Sequence, residues 1–272
     1  MKNNLLIKDR PLVMGILNVT PDSFYDGGKY IKVEDALTRA FEMIKEGVDI
    51  IDVGGESTRP FSEPVSVDEE LKRVIPVIEG IRSKSDIPIS IDTYRAEVAK
   101  KAIYAGANIV NDISGLTFDA HMAETVAKFN AYAVIMHIKG TPRDMQLNPY
   151  YNDVIEEINE YFKERIDFAT ACGIKREKII LDPGIGFGKR VEDNLKIIKG
   201  LKRFKAFGLP LLIGTSMKSF IGHVTGSEIH ERTEGTLASI AISVWNGANI
   251  VRVHDVKKTL KVVKLVDAVM KS

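Results

Sequence analysis

The sequence lacks the features that several broad classes of protein require. It has a single cysteine, Cys172, which excludes an intrachain disulfide and fits a reducing compartment. No uncharged apolar run approaches the roughly 18 residues of a membrane span, and the first residues contain no apolar signal core. Lysine and arginine total 38 against 37 aspartates and glutamates, so no charge excess predicts nucleic-acid or membrane binding. We therefore expect a cytoplasmic protein without nucleic-acid or membrane partners.

The chain does contain short apolar runs at regular intervals. Its 272 residues, 44% of them hydrophobic, suit one (β/α)8 barrel, and no linker divides residues 1–272 into separate domains. Eight runs rich in valine and isoleucine predict strands that are buried on both faces. The predicted strands are Leu12–Leu17, Val48–Val53, Pro88–Ile91, Asn108–Ile113, Tyr132–Met136, Lys178–Leu181, Pro210–Ile213 and Asn249–Val253.

Amphipathic segments separate these runs and predict helices, several of which end at a glycine such as Gly47 or Gly106. Eight strands alternating with eight helices predict a parallel α/β fold, with a closed TIM barrel favoured and a doubly wound open sheet as the alternative. The predicted helices are Val33–Glu46, Val67–Arg82, Arg95–Tyr104, Met122–Phe129, Val154–Ala171, Glu192–Lys205, Glu231–Trp245 and Lys257–Val269.

Every predicted strand delivers a polar or ionisable group near its carboxyl end. In a barrel these ends form one face, and active sites lie there. Any one such residue is more often a helix cap or a satisfied core group, but burying many charges is costly unless they are paired or used. The groups are Asn18, Asp52, Asp92, Asn111, Asp112, His137, Asp182, Thr215, Ser216, Lys218, Arg252, His254 and Asp255.

The charges on this rim differ between strands. Acceptors and amides follow the third, fourth and sixth strands and suit a flat heterocycle that bears N–H donors. Cations follow the seventh and eighth strands, where barrels often bind phosphate. We therefore expect a heterocycle pocket beside an anion pocket at the same barrel mouth. The glycine-rich segment Gly184–Lys189 matches neither a dinucleotide fingerprint nor a phosphate-binding P-loop and is typical of a tight turn.

Seven ordered motifs resemble those of the dihydropteroate synthase family, from about Val13 to His254. They read MGILNVTPDSFYDGG, IDVGGESTRP, SIDTYRAEVAKKAIYAGANIVNDISG, MHIKGTP, ILDPGIGFGK, GTSMKSFIG and IVRVHDV. The resemblance implies that 6-hydroxymethyl-7,8-dihydropterin diphosphate and 4-aminobenzoate are joined, yielding 7,8-dihydropteroate and pyrophosphate in folate biosynthesis. It also implies a sulfonamide target, a Mg2+ cofactor and a homodimer formed through barrel helices.

The resemblance also implies roles for individual residues. Pterin-binding positions are Asp92, Asn111, Asp182, Lys218 and Met136; pyrophosphate-binding positions are Asn18, Thr58, Arg252 and His254. Aminobenzoate-binding positions are Phe24, Thr58, Pro60, Phe187 and Ser219; Asp22 lies in the same first loop as Phe24. Lys218, Asp26 and Arg59 are the implied catalytic residues, and Asn18 is the implied magnesium ligand.

The implied mechanism is a dissociative displacement. Lys218, Arg252 and His254, together with Mg2+, would neutralise the departing pyrophosphate, while closed loops would exclude water from a cationic pterin methylene. The amine attacks a very electrophilic carbon, so no general base is assigned.

The sequence departs from the family at three places. Met217 stands where the family usually has Arg, Phe61 stands where it often has Gly, and His223–Thr225 is untypical. Two other interpretations therefore stay open: a corrinoid methyltransferase acting on methyltetrahydrofolate, and a non-catalytic pterin-binding paralogue. A purely structural protein would not need the charged rim. His137 is interpreted either as pocket lining or as core.

Overall fold

The computed structural model describes residues 9–20, 33–58 and 62–272. Eight strands pair in parallel in the order β6-β5-β4-β3-β2-β1-β8-β7. They are β1 (Leu12–Asn18), β2 (Ile50–Gly54), β3 (Ile89–Asp92), β4 (Ile109–Asp112), β5 (Tyr132–Met136), β6 (Ile179–Asp182), β7 (Leu212–Ile213) and β8 (Ile250–Val253).

Helices surround this sheet on its outside. Among the described residues, no helix is both long and apolar enough to cross a membrane. The α-helices are α1 (Val33–Glu46), α2 (Val67–Arg82), α3 (Ala96–Ala105), α4 (Met122–Lys128), α5 (Val154–Ala171), α6 (Val191–Gly200), α7 (Ser219–Thr225), α8 (Thr233–Trp245) and α9 (Val256–Lys271). Short 3-10 turns lie at Arg176–Lys178, Leu201–Phe207 and Ile229–Glu231.

The sheet closes between its two end strands, β6 and β7. An isolated parallel bridge pairs Leu181 with Leu211, and the Leu181 N–H donates to the Pro210 carbonyl at 2.9 Å. Pro210 has no N–H to donate, which helps to explain why β7 is only two residues long. The predicted barrel is confirmed, and the open-sheet alternative is wrong.

Alternate residues of each strand face the barrel interior. One set forms a buried apolar cluster: Leu12, Met14, Ile50, Ile109, Tyr132, Val134, Ile180, Leu212 and Ile250. Since side chains alternate along a strand, the residue two positions beyond Ile50, Ile109, Ile180 or Ile250 also faces inward, but nearer the carboxyl end. Those residues are Asp52, Asn111, Asp182 and Arg252. The apolar cluster is therefore the floor beneath a polar layer at the barrel mouth, by which we mean the carboxyl ends of the strands.

Apart from shifts of one or two residues at helix ends, the helices differ from the prediction in two places. The predicted helix Glu192–Lys205 is α6 followed by the 3-10 turn Leu201–Phe207, with Gly200 at their junction. Helix α7 was not predicted, because its seven residues are too few to display a helical repeat of apolar positions. It begins directly after Lys218, which occupies the N-cap position of the helix.

Candidate functional site at the barrel mouth

Arg252 is the cation at the centre of the barrel mouth. Its Nε donates to Asp52 Oδ2 at 2.6 Å, and its Nη2 donates to Asp92 Oδ2 at 2.6 Å. The carboxylates and this cation, which come from different strands in the sequence, are therefore paired in the folded barrel. The reason is that Asp52, Asp92 and Arg252 occupy inward positions in one layer, where a desolvated guanidinium requires carboxylate partners. These carboxylates raise the pKa of Arg252 despite the lowering effect of its burial.

Asn111 joins this network from β4. Its side-chain Nδ2 donates to Asp52 Oδ2 at 3.2 Å, and the residue is almost fully buried. Burial raises the pKa of Asp92 to about 7, although the charge of Arg252 acts to lower it. The predicted pterin-binding residues Asp92 and Asn111 are thus joined to each other through Arg252 and Asp52.

Asp182 lies at the end of β6 and begins the glycine-rich turn. Its Oδ1 accepts the Gly184 N–H at 2.7 Å. Burial raises the pKa of Asp182 to about 6, against the lowering effects of that hydrogen bond and of the Lys218 charge. Gly184 has a φ of 69°, and a Cβ there would lie 2.0 Å from the His137 carbonyl oxygen. The turn therefore needs glycine both for its conformation and for its close approach to β5.

Lys218 reaches the same mouth from the seventh loop. Its Nζ lies 4.1 Å from the centre of the Phe187 ring, within range of a cation–π interaction. Burial and the nearby charge of Arg252 lower the pKa of Lys218 to about 8, while Asp182 and Asp92 act to raise it. Lys218 and Asp182 therefore share one site, with Phe187 beside the lysine.

An apolar wall completes this side of the mouth. Met136, at the end of β5 opposite Asp182, packs with Ile113, Met145 and Phe187. The long segment after β5 is held over the glycine-rich turn, since Gln146 Nε2 donates to the Gly186 carbonyl at 2.7 Å. This wall can contact the face of a flat ring.

The remaining predicted residues lie towards the edge of the mouth. His254 is exposed, and its Nδ1 is 2.9 Å from the Oγ of the buried Ser216. Asn18 ends β1 opposite Gly54 and is half-buried. Thr58 is half-buried after β2, and Ser219 is exposed at the start of α7. Asp22, Phe24, Asp26, Arg59, Pro60 and Phe61 lie outside the described residues.

His137 and Lys189 form a buried support behind the site. Lys189 Nζ lies 2.9 Å from His137 Nδ1 and donates to the carbonyls of His137 at 3.2 Å and Phe187 at 3.0 Å. Desolvation lowers the pKa of His137 well below its usual value, so the ring is neutral and its Nδ1 can accept a hydrogen bond from Lys189 Nζ. The structure thus makes His137 a satisfied buried group, and Lys189 ties β5 to the glycine-rich turn.

Sequence reasoning assigned no role to Asp52, Lys189, Ile113 or Met145. Asp52 and Ile113 could have been found from the sequence, because each is one of the last two residues of a predicted strand. Lys189 followed the glycine-rich turn, but nothing in the sequence indicated its burial. Met145 lies in a segment without periodicity, which the sequence could not place.

The arrangement as a whole can hold a planar polar heterocycle. Carboxylate and amide groups of Asp92, Asn111 and Asp182 can accept and donate hydrogen bonds at the edge of a ring. The apolar wall can cover its face, and Lys218 and Arg252 lie where an attached anion would gain from their charge. Among the described residues, no three His, Cys, Asp or Glu side chains group as a metal centre.

Comparisons with known proteins point to one enzyme family. The model of the pterin-binding enzyme family matches residues 14–254. The dihydropteroate synthase of a Synechocystis strain is 48% identical over 95% of this chain and 90% of its own length. A Yersinia pestis dihydropteroate synthase in complex with a sulfonamide drug superposes with a TM-score of 0.93, at 42% identity over 98% of this chain and 97% of that one. A Xanthomonas albilineans dihydropteroate synthase in complex with 7,8-dihydropteroate gives a TM-score of 0.88, at 39% identity over 97% of this chain and 95% of that one.

The glycine-rich turn yields a test of the site's architecture. Gly184→Ala should cost about 1–2 kcal/mol for the left-handed backbone and a further ~1–3 kcal/mol for the clash with the His137 carbonyl. Gly208→Ala is the matched control, because Gly208 has a φ of 67°, yet a Cβ there would meet no described atom within 4 Å beyond its chain neighbours. Denaturant unfolding measures both; equal losses of unfolding free energy would mean that the close approach to His137 is unimportant.

Proposed function

The chain belongs to the pterin-binding enzymes and, within them, to the dihydropteroate synthases of folate synthesis, and we propose from this premise the substrates and mechanism that follow. The substrates are 6-hydroxymethyl-7,8-dihydropterin diphosphate and 4-aminobenzoate, and the products are 7,8-dihydropteroate and pyrophosphate. The observation that carries this proposal is the polar layer at the barrel mouth, where Asp92, Asp182 and Lys218 meet Arg252. The proposal also draws on the 7,8-dihydropteroate held by the Xanthomonas relative.

The pterin ring is proposed to lie between the polar layer and the apolar wall. Asp182 and Asp92 accept hydrogen bonds from N–H groups of the ring, and the side-chain amide of Asn111 hydrogen-bonds to the remaining edge of the ring. Met136 contacts one face. Two buried carboxylates beside the ring favour positive character on it, which assists loss of the attached leaving group.

The diphosphate is proposed to leave towards Lys218, Arg252 and His254. The bond between the methylene carbon and the diphosphate oxygen breaks, and the aminobenzoate nitrogen bonds to the carbon and releases a proton. Lys218 and Arg252 are already positioned in a desolvated mouth, where fixed charges stabilise a developing anion most strongly. Phe187 and Ser219, beside Lys218, are the proposed walls for 4-aminobenzoate together with Thr58.

The residues at the mouth fit Mg2+ that arrives with the diphosphate. Mg2+ keeps several waters and needs only one or two protein oxygens in addition to substrate phosphates. Asn18 can supply such an oxygen, because its Oδ1 lies beside Gly54 at the end of β2, 3.8 Å from where a Cβ on that glycine would lie. When bound, the ion would neutralise part of the pyrophosphate charge. The proposed roles of Asp26, Arg59, Phe24 and Pro60 concern loops outside the described residues.

The proposed reaction is tested by turnover with both substrates and Mg2+. The wild type should release pyrophosphate and form 7,8-dihydropteroate, and Asp182→Asn should weaken pterin binding roughly 10- to 100-fold, because a charged acceptor is lost. Asp167→Asn, at an exposed position on α5, is the matched control and should bind pterin as the wild type does. A folded wild type that binds pterin but releases no pyrophosphate would indicate the non-catalytic paralogue instead.

The pH dependence of kcat/KM should be bell-shaped. The acid limb falls as pH drops through about 6 to 7, where burial has placed the pKa values of Asp182 and Asp92, since protonation removes their acceptor character. The alkaline limb falls as pH rises through about 8, the pKa at which Lys218 loses its charge. Initial rates at subsaturating pterin diphosphate give the profile; a rate that stays level from pH 5 to pH 9 would contradict these assignments.

A second copy of this chain is the proposed partner. Helix α8 carries one charged residue, Glu234, and leaves Ile242 and Trp245 half exposed on its outer face. Exposed Leu195 on α6 and Val224 on α7 adjoin this face and line, with Ile242, a groove of about 380 Å³. Contiguous apolar surface of this kind is typical of an oligomer interface.

Light scattering after size exclusion tests the homodimer. The wild type should have twice the mass of the chain, and Ile242→Asp should shift it towards the monomer because a carboxylate would be desolvated in the interface. Leu265→Asp is the control, since Leu265, on α9, is equally apolar and more exposed but does not line the groove. A monomeric wild type at micromolar concentration would refute the dimer.

A further inference from the structure

Asp52 connects several of the residues that are proposed to bind substrate. It is fully buried on β2, and its Oδ2 accepts from Arg252 Nε at 2.6 Å and from Asn111 Nδ2 at 3.2 Å. Through Arg252 it is also linked to Asp92. The proposed function gives Asp52 no contact with substrate. Arg252 and Asn111 nevertheless donate to it directly, and Asp92 is linked to it through Arg252.

The two carboxylate partners of Arg252 differ in accessibility. The side chain of Asp52 is 0% exposed, whereas that of Asp92 is 9% exposed and that of Arg252 is 19% exposed. A ligand that enters the mouth can therefore reach Asp92 and Arg252 but not Asp52. Ring N–H donors that bind Asp92 at Oδ2 compete there with Arg252 Nη2.

A buried guanidinium that loses one partner still requires a counterion. Leaving a desolvated charge unpaired is strongly unfavourable, so the contact between Arg252 and Asp52 should persist when ligand displaces Arg252 from Asp92. The other oxygen of Asp52, Oδ1, is buried without a hydrogen-bond partner among the described residues. The carboxylate's strongest contact is thus the one with Arg252.

We propose that Asp52 is a positioning residue. It is the counterion that stays paired with Arg252 and orients the guanidinium towards the diphosphate, while Asp92 exchanges its contact with Arg252 for a contact with the pterin ring. This inference rests on the proposed function, and it assigns different roles to two carboxylates that contact the same guanidinium. Asp52 acts through Arg252 and does not touch the substrate. Asp92 is the exchangeable partner.

Titration of the whole protein with inorganic pyrophosphate tests the proposal. Asp52→Asn keeps an oxygen that can accept from Asn111 but removes the charge that holds Arg252. Pyrophosphate affinity should fall roughly 10- to 100-fold, the effect expected when a charged hydrogen bond is lost. Affinity equal to that of the wild type overturns the proposal.

Asp49 provides the matched control for a purely structural effect. It directly precedes β2, is buried, and forms a two-pronged pair with Arg10 at 2.8 and 2.9 Å, at the opposite end of the barrel. Asp49→Asn should therefore lower the melting temperature but leave pyrophosphate affinity unchanged. Equal losses of affinity in Asp49→Asn and Asp52→Asn would overturn the positioning role.

A double-mutant cycle shows whether Asp52 acts through Arg252. In the Arg252→Gln background, adding Asp52→Asn should change pyrophosphate affinity by less than about twofold, because the group that Asp52 aims is already absent. Additive losses overturn the proposal. If Asp52→Asn alone does not fold, the double variant, which removes both charges of the Asp52–Arg252 pair, is compared with Arg252→Gln by the same criterion.

Turnover separates this inference from the proposed reaction. In an active enzyme, Asp52→Asn should lower kcat as well as raise KM for the pterin diphosphate, since Arg252 acts on the anion as it departs. A wild type that makes no dihydropteroate rejects the reaction itself. If the wild type is active and Asp52→Asn has the same kcat, only the role of Asp52 is rejected.

Discussion

Closure of eight parallel strands into one barrel determines which side chains share the mouth. Because residues alternate along each strand, the inward positions above the apolar floor are fixed once β6 and β7 meet at Leu181 and Leu211. Asp52, Asp182 and Arg252 occupy those positions, although up to 200 residues separate them in sequence. The chemistry of the site therefore follows from strand register, and a slip by one residue would turn the polar layer towards the helices.

Burying the charges of this polar layer lowers the stability of the folded state. Burial raises the pKa of Asp182 to about 6 from its ordinary value of 3.8, which corresponds to roughly 3 kcal/mol of lost stability when the group is ionised at neutral pH. The sign follows because the folded state binds the proton more tightly than the unfolded state does. The opposite shift in the pKa of Lys218, to about 8, has the same origin in desolvation. A fold under selection for stability alone would not place these charges together, which is a physical reason to interpret the mouth as a functional site.

The sequence was sufficient to predict the strands, the barrel and the strand-end residues, because buried parallel strands are continuous apolar runs that end in polar groups. It could not predict that Arg252 pairs with Asp92, since that contact depends on the register between strands distant in sequence. The position of Lys189 was equally hidden, because a lysine after a glycine-rich turn is usually solvated. Helix α7 was missed because it is too short to show a helical repeat, and Met145 was missed because its segment has no hydrophobic periodicity.

Met217 shows how the main chain before Lys218 is held in place. The residue precedes Lys218 and has a φ of 61°, a left-handed conformation that costs a non-glycine residue on the order of 1 kcal/mol. Its N–H donates to Thr236 Oγ1 at 3.0 Å, and its carbonyl accepts from Arg232 Nη1 at 3.2 Å, so α8 and the residue before it hold the main chain. These contacts use the backbone N–H and carbonyl of residue 217, so they do not depend on which side chain that residue carries. Lys218 is thus aimed by the conformation of its neighbour, and an arginine at position 217 is not needed to orient it.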